Sequence, residues 1–203
     1  MTPLLLDDGL WLYRGIADHP DARARALRRH LSEALGCGEG DIAIRRESMG
    51  KPVLIAPRDD IWFGTAGRDG LLAISLSRRG PVGVDVETLA HCRDGEAIAR
   101  TLFAPAESEG LARLSPSERP LAFARLWTGK EAVLKATGRG MADGLAWPDL
   151  AATMSPDQPS RSGMTVEMDG ASHTLVWYTT FVDDAVAVIA RAQSESRPSN
   201  GLS

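Results

Sequence analysis

Two short segments of this sequence combine residue types suited to phosphate chemistry. In Gly83-Val84-Asp85-Val86-Glu87 the carboxylates stand two apart. On a strand alternate residues share a face, so Asp85 and Glu87 point one way while Val84 and Val86 point into a core. Two carboxylates side by side repel unless a cation or a proton lies between them. A hard cation such as Mg²⁺ takes oxygen ligands, commonly a few carboxylates completed by phosphate oxygens and water. Paired acids at a strand end are often only solvated, so this pair needs a companion. The segment Trp127-Thr128-Gly129-Lys130-Glu131-Ala132-Val133-Leu134-Lys135 supplies one. On a helix Trp127, Glu131 and Lys135 stack at i, i+4 and i+8. A surface Glu131–Lys135 pair would be worth only about 0.3–0.5 kcal/mol. Three features point beyond that. Gly129 in mid-helix costs about 1 kcal/mol against alanine. Gly138-Arg139-Gly140 closes the helix as if a ligand or backbone comes close. Of 23 basic residues only Lys51, Lys130 and Lys135 are lysines, and two of these share six positions. Lysine is a compact point charge and arginine a planar fork, so a site shaped for one does not freely accept the other. Glu131 is therefore expected as a third carboxylate, with Lys130 and Lys135 as cations for phosphate.

The elements that must position these residues are legible in outline. Leu10–Tyr13, Ile42–Arg46, Ile61–Phe63, Leu71–Leu76 and Val82–Val86 read as strands, with the glycine-rich stretch Gly64–Gly70 as a connection. Asp21–Leu35 has one apolar face and two glycines after it, which predicts a helix. In the second half, Ala97–Leu102 and Pro105–Leu114 suggest short helices. Glu118–Thr137 is the strongest helix pattern, with Phe123, Leu126, Trp127, Val133 and Leu134 near one face. Thr165–Met168, His173–Thr180 and Ala185–Arg191 read as strands. Ser48–Pro52 reads as a turn, Ser155–Gly163 as a polar loop, and residues 193–203 as a disordered tail. Ile61-Trp62-Phe63 before Leu71–Leu76 is echoed about 115 residues later by Val176-Trp177-Tyr178 before Val186–Ala190. The expected fold is α+β, with two similar halves, 1–88 and 89–192, related by a pseudo-twofold axis.

The 203 residues can bury a real core. Hydrophobic residues at 43% and charged residues at 25% are ordinary for a globular protein. A net charge of −4 without a basic stripe argues against nucleic acid as the main partner. No apolar run approaches the roughly 20 residues of a membrane span, and the first residues lack a signal-peptide pattern. Cys37 and Cys92 have no metal-ligand or disulfide spacing and read as reduced thiols of a cytoplasmic protein. His19, His30, His91 and His173 are scattered without ligand spacing and read as surface or capping residues.

Taken in order, Gly-Val-Asp-Val-Glu, about forty intervening residues and Trp-x-x-Lys-Glu-Ala-x-x-Lys-x-x-Gly-x-Gly resemble the 4′-phosphopantetheinyl transferase superfamily, most closely its monomeric surfactin-synthetase-activating type. Gly50-Lys51-Pro52 resembles that family's Gly-Lys-Pro element, and Phe103-Ala104-Pro105-Ala106-Glu107 its Phe-x-x-x-Glu element. The resemblance implies transfer of the phosphopantetheine arm of coenzyme A to a serine of an acyl or peptidyl carrier protein, with release of 3′,5′-ADP. It implies that Asp85, Glu87 and Glu131 bind Mg²⁺, and that Lys130 and Lys135 contact phosphate. Lys51 would reach the phosphates of coenzyme A, and Glu107 would lie near the metal. Glu131, directly or through a metal-bound water, would take the serine proton.

One element departs from the family pattern. Where the family has Phe-Asn-x-Ser-His-Ser, this chain has Phe63-Gly64-Thr65-Ala66-Gly67-Arg68. The histidine that meets the 3′-phosphate of coenzyme A is replaced by Gly67. Two readings follow: Arg68, Arg78 or Arg79 supplies the missing cation, or the donor is bound weakly or lacks that phosphate. A degenerate member that binds without turnover, and a metal-dependent phosphodiester hydrolase, are the competing functions. Carrier domains are typically acidic, so Arg113, Arg119 and Arg125, with the loop around Met141, are candidates for a docking patch.

Overall fold

The computed structural model describes residues 2–7, 9–47, 50–139, 144–153, 161–168 and 171–193. Residues 48 and 49 of the expected turn, Gly140, the loop at Met141, residues 154–160 and residues 194–203 lie outside the described residues. The first half contains strands β1 (Leu4–Asp7) and β2 (Leu10–Tyr13), helix α1 (Pro20–Leu35), and strands β3 (Ala43–Arg46), β4 (Pro52–Ala56), β5 (Trp62–Arg68), β6 (Leu71–Ser77) and β7 (Val82–Thr88). The second contains helices α2 (Gly95–Leu102), α3 (Pro105–Arg113) and α4 (Arg119–Thr137), then strands β8 (Arg161–Met168), β9 (Ala171–Val182) and β10 (Ala185–Gln193). Two four-stranded antiparallel sheets, ordered β1-β2-β6-β5 and β7-β10-β9-β8, carry the fold, with β3 and β4 as a separate pair.

The fold is α+β, and its halves follow one plan. A strand leads to a helix, then to a hairpin whose second strand pairs back onto the first: β2, α1, β5 and β6, then β7, α4, β9 and β10. The sequence echo falls on the two hairpins. Strand β7 opens the second sheet, and residue 88 is its last residue.

Local chemistry explains the helices and turns. Pro20 starts α1, the His19 ring accepts the Asp21 amide at 3.2 Å, and left-handed Gly36 ends the helix. Leu27 and Leu31 bury their side chains against Phe63, Leu72 and Ile74 of the first sheet. The glycine-rich stretch is not a connection. Gly64–Arg68 continues β5, and the turn is confined to Asp69 and Gly70, both at positive φ. Such a two-residue turn matches the twist of the strands it joins. The expected single apolar face of α4 is also too simple. Phe123, Leu126, Ala132, Val133 and Leu134 are buried, but so are Thr128, Gly129, Lys130 and Ala136, because sheet, loop and neighbouring helices enclose most of its girth.

Candidate active site

Strand β7 is buried throughout, and its two faces have different jobs. Val82, Val84 and Val86 join Leu10, Leu12, Leu71 and Ile189 in a core between the sheets. The alternate residues, Gly83, Asp85 and Glu87, face α4. Gly83 sets the distance: a Cβ there would lie 2.1 Å from the Ala132 carbonyl oxygen and 2.4 Å from the Ala136 amide nitrogen. Only hydrogen at that position lets α4 come down onto β7, and this approach brings Glu131 and Lys135 beside Asp85.

The Lys135 ammonium donates to Asp85 Oδ1 at 2.6 Å and lies 3.5 Å from Glu131 Oε2. Burial alone would lower the Lys135 pKa, but Asp85 and then Glu131 outweigh it and hold it above its ordinary value. The Asp85 carboxyl is pushed up to about 6 by burial, against the pull of Lys135. Glu131 Oε1 is buried without a hydrogen-bond partner. A buried carboxylate oxygen left in that state is costly, and demands a cation or a water.

Glu87 is held from the other side. The Arg68 guanidinium reaches Glu87 Oε2 at 2.9 Å, and the Thr88 amide donates to Glu87 Oε1 at 2.9 Å. Next to it His91 Nδ1 lies 2.8 Å from Asp69 Oδ2 and 3.0 Å from Thr88 Oγ1. This Asp69-Thr88-His91 cluster has no signal in the sequence, because it joins a turn between strands to the short helix after β7.

A cavity of about 210 Å³ opens at the end of α4, lined by Lys51, Pro52, Phe63, Thr65, Lys135 and Gly138 among others. Lys51 Nζ donates to the Ala136 carbonyl at 2.9 Å, near the electronegative C-terminal end of α4. Of the three lysines expected on phosphate, Lys51 and Lys135 share this cavity.

The superfamily model for 4′-phosphopantetheinyl transferases matches residues 81–190, the span that holds β7, α4 and the second sheet. This chain belongs to that superfamily. A Synechocystis sp. relative, provisionally named for the same activity, is 36% identical over 121 residues, covering 59% of this chain and 49% of its own length. The 4′-phosphopantetheinyl transferase HetI of Nostoc sp. is 31% identical over 137 residues, 66% of this chain and 56% of its own. The 4′-phosphopantetheinyl transferase gsp of Aneurinibacillus migulanus is 30% identical over 115 residues, 57% and 46%. The chain spans about half the length of the curated relatives it matches.

Several residues of this superfamily member stand elsewhere than the sequence leads one to expect. Lys130 does not line the cavity of Lys51 and Lys135. It is fully buried, 2.7 Å from Glu107 Oε2, donates to the Pro148 carbonyl, and sits 4.9 Å from the centre of the Phe103 ring. Glu107 is likewise fully buried and accepts the amides of Ala104 at 3.0 Å and Leu150 at 2.7 Å. The pair fastens α3, α4 and the segment around Leu150 together and lines none of the cavities described here. Gly129 packs on the same segment: a Cβ there would lie 2.9 Å from Leu150 Cδ1, and the leucine side chain would have to shift. Arg68 does not face the place of the missing histidine. It neighbours Gly67 on a strand, so its side chain takes the opposite face and clamps Glu87. Arg78 and Arg79 line a different groove, with Leu5 and Trp11. Of the docking candidates, Arg113 pairs with Glu109, Arg119 pairs with Glu96 and caps the Leu114 carbonyl, and Arg125 lies 5.7 Å above the Phe181 ring.

The donor set fits a hard divalent cation in chemistry: Asp85, Glu87 and Glu131 are carboxylates, and one oxygen of Glu131 lacks a partner. Among the described residues no three acidic, histidine or cysteine side chains are gathered closely enough to enclose an ion. Lys135 stands between Asp85 and Glu131, and Arg68 holds Glu87. Among the described residues no helix is long and apolar enough to cross a membrane.

Proposed function

We propose that this chain transfers the 4′-phosphopantetheine arm of coenzyme A to a serine of an acyl or peptidyl carrier protein, with Mg²⁺ held by Asp85, Glu87 and Glu131. The observation that carries this reading is Lys135, set between a strand carboxylate and a helix carboxylate at the rim of a cavity that also holds Lys51. That arrangement suits a diphosphate: lysine ammoniums on its oxygens, and carboxylates behind them for a metal. A bound Mg²⁺ would supply Lewis-acid polarisation of phosphoryl oxygens.

The chain's own residues then do the following. Lys51 and Lys135 bind and orient the diphosphate. The carrier serine Oγ forms a bond to the pantetheine-side phosphorus as the bond from that phosphorus to the bridging oxygen breaks. The electron pair leaves on 3′,5′-ADP. Glu131 is the carboxylate that would accept the serine proton. Lys135 offsets charge growing on the phosphoryl oxygens. Such an enzyme would work as a cytoplasmic monomer, with Cys37 and Cys92 as free thiols.

The test is a mass measurement. Incubation with coenzyme A, Mg²⁺ and several apo carrier proteins should add one phosphopantetheine per carrier. No gain on any carrier, at any Mg²⁺ concentration, removes the transferase reading. A second reading, a member that binds ligand without turnover, draws on the glycine at position 67. Binding of coenzyme A that is indifferent to Mg²⁺, with no product, would favour it.

A further inference from the structure

Glu87 is a buried carboxylate whose charge is met from the first sheet, not from its own. Its side chain is 6% exposed, and Arg68 approaches Oε2 with Nη2 at 2.9 Å and Nε at 3.1 Å. The other oxygen takes the Thr88 amide. The guanidinium is 43% exposed, so its far side meets solvent. Its root on the chain is fixed by the next residue. Asp69, at a φ of 48°, accepts a hydrogen bond from Thr88 Oγ1 at 2.8 Å, and His91 Nδ1 lies 2.8 Å from the same carboxylate. The β5–β6 turn is thereby tied to the end of β7 and the short helix after it, and Arg68 is delivered to Glu87.

The three carboxylates Asp85, Glu87 and Glu131 face two cations of different kinds. Lys135 lines the cavity and stands between Asp85 and Glu131. Arg68 lines none of the cavities described here, and its hydrogen bonds go to Glu87. A carboxylate as enclosed as Glu87 is costly without a countercharge, and Arg68 is that charge. A divalent ion on Glu87 would want the same oxygen and would repel the guanidinium. A long, half-exposed side chain can turn into solvent while Asp69 keeps its root in place.

We infer that Arg68 is a resident counter-cation that competes with Mg²⁺ for Glu87, and so sets how tightly the centre holds its metal. The inference rests on the reading in which Asp85, Glu87 and Glu131 hold that ion. On binding, Glu87 exchanges one cation for another and is never left bare. The sign of the effect separates this from a structural prop. Removing an arginine that only steadies a ligand weakens the metal, whereas removing a competitor tightens it.

Thermal-shift titration of the full chain with MgCl₂ tests this. Arg68→Gln should bind Mg²⁺ roughly tenfold more tightly than wild type, the order expected for removing a unit charge near a divalent ion in a water-like medium. Its melting temperature without Mg²⁺ should fall, because Glu87 is left unpaired, and Mg²⁺ should recover it. A glutamine variant that folds only with Mg²⁺ is the same result at its extreme. Arg68→Lys keeps the charge and loses the fork, so its Mg²⁺ affinity should stay near wild type. Unchanged or weaker Mg²⁺ binding in Arg68→Gln, or a chain that stays unfolded with Mg²⁺ present, overturns the competition and leaves the carboxylate centre standing. Wild type that shows no response to Mg²⁺ overturns both.

Discussion

Helix α4 carries two lysines five positions apart, and each meets a carboxylate at nearly the same distance. Lys130 lies 2.7 Å from Glu107 and Lys135 lies 2.6 Å from Asp85. By distance alone they are the same interaction, yet their surroundings separate them. Glu107 has all its needs met by Lys130 and two amides, and the pair is fully enclosed. Lys135 is divided between Asp85 and Glu131, stands at a cavity, and leaves Glu131 Oε1 without a partner. A satisfied buried pair fixes geometry. An unsatisfied one beside an open space is poised to take a ligand.

The largest effect expected is on the second pair. Glu131→Gln keeps the shape but removes the charge that would hold Mg²⁺ and accept the serine proton. Carrier modification should fall about 10²–10⁴-fold in kcat/KM, the usual span for loss of a general base. The melting temperature should hold or rise, because a neutral amide at this position relieves repulsion with Asp85. A variant that keeps wild-type turnover would mean the orphan oxygen has no catalytic use. Lys130→Met reverses the pattern. It strands Glu107 in the interior, and breaking one partner of such a pair costs about 3–5 kcal/mol. Urea midpoints should drop accordingly, while turnover per folded molecule stays near wild type. Loss of turnover without loss of stability would return Lys130 to the phosphate path.

These two pairs mark the border of what is legible in the sequence. Helix boundaries, strand β7 and the shared face of Asp85 and Glu87 follow from periodicity and end signals, which are local properties. Glu131 and Lys135 are singled out by spacing, and Gly83 admits them to that face. Lys130 misleads because spacing gives a helical face but not what packs on it, and α4 is enclosed on nearly every side. Strands β1 and β4 escape a reading by pattern for a related reason. They sit at sheet edges, where Leu4, Leu5 and Ile55 are exposed and no apolar alternation is needed.

The smallest effect concerns protons, and it tells the two pairs apart. The Asp85 carboxyl, ordinarily near 3.8, stands at about 6 because it is buried. Raised in the folded state, it adds stability that is complete below about pH 3.8 and is lost as the pH climbs through about 6. The ligand-free site is thus least comfortable near neutrality, where Asp85 must ionise. On the proposed reading Mg²⁺ would bind only the ionised form, and so would gain affinity as that stability is lost. From pH 7 to pH 5 the apparent Mg²⁺ affinity should weaken roughly tenfold, since about one Asp85 in eleven remains ionised at pH 5. Thermal-shift titrations with MgCl₂ at the two pH values would read it directly. In Lys130→Met the same roughly tenfold weakening should persist, because the sealed pair has no part in holding the ion. In Asp85→Asn both the affinity and its pH dependence should vanish together. An affinity flat from pH 5 to pH 7 in wild type would separate Asp85 from the metal and leave Lys135 as its only partner.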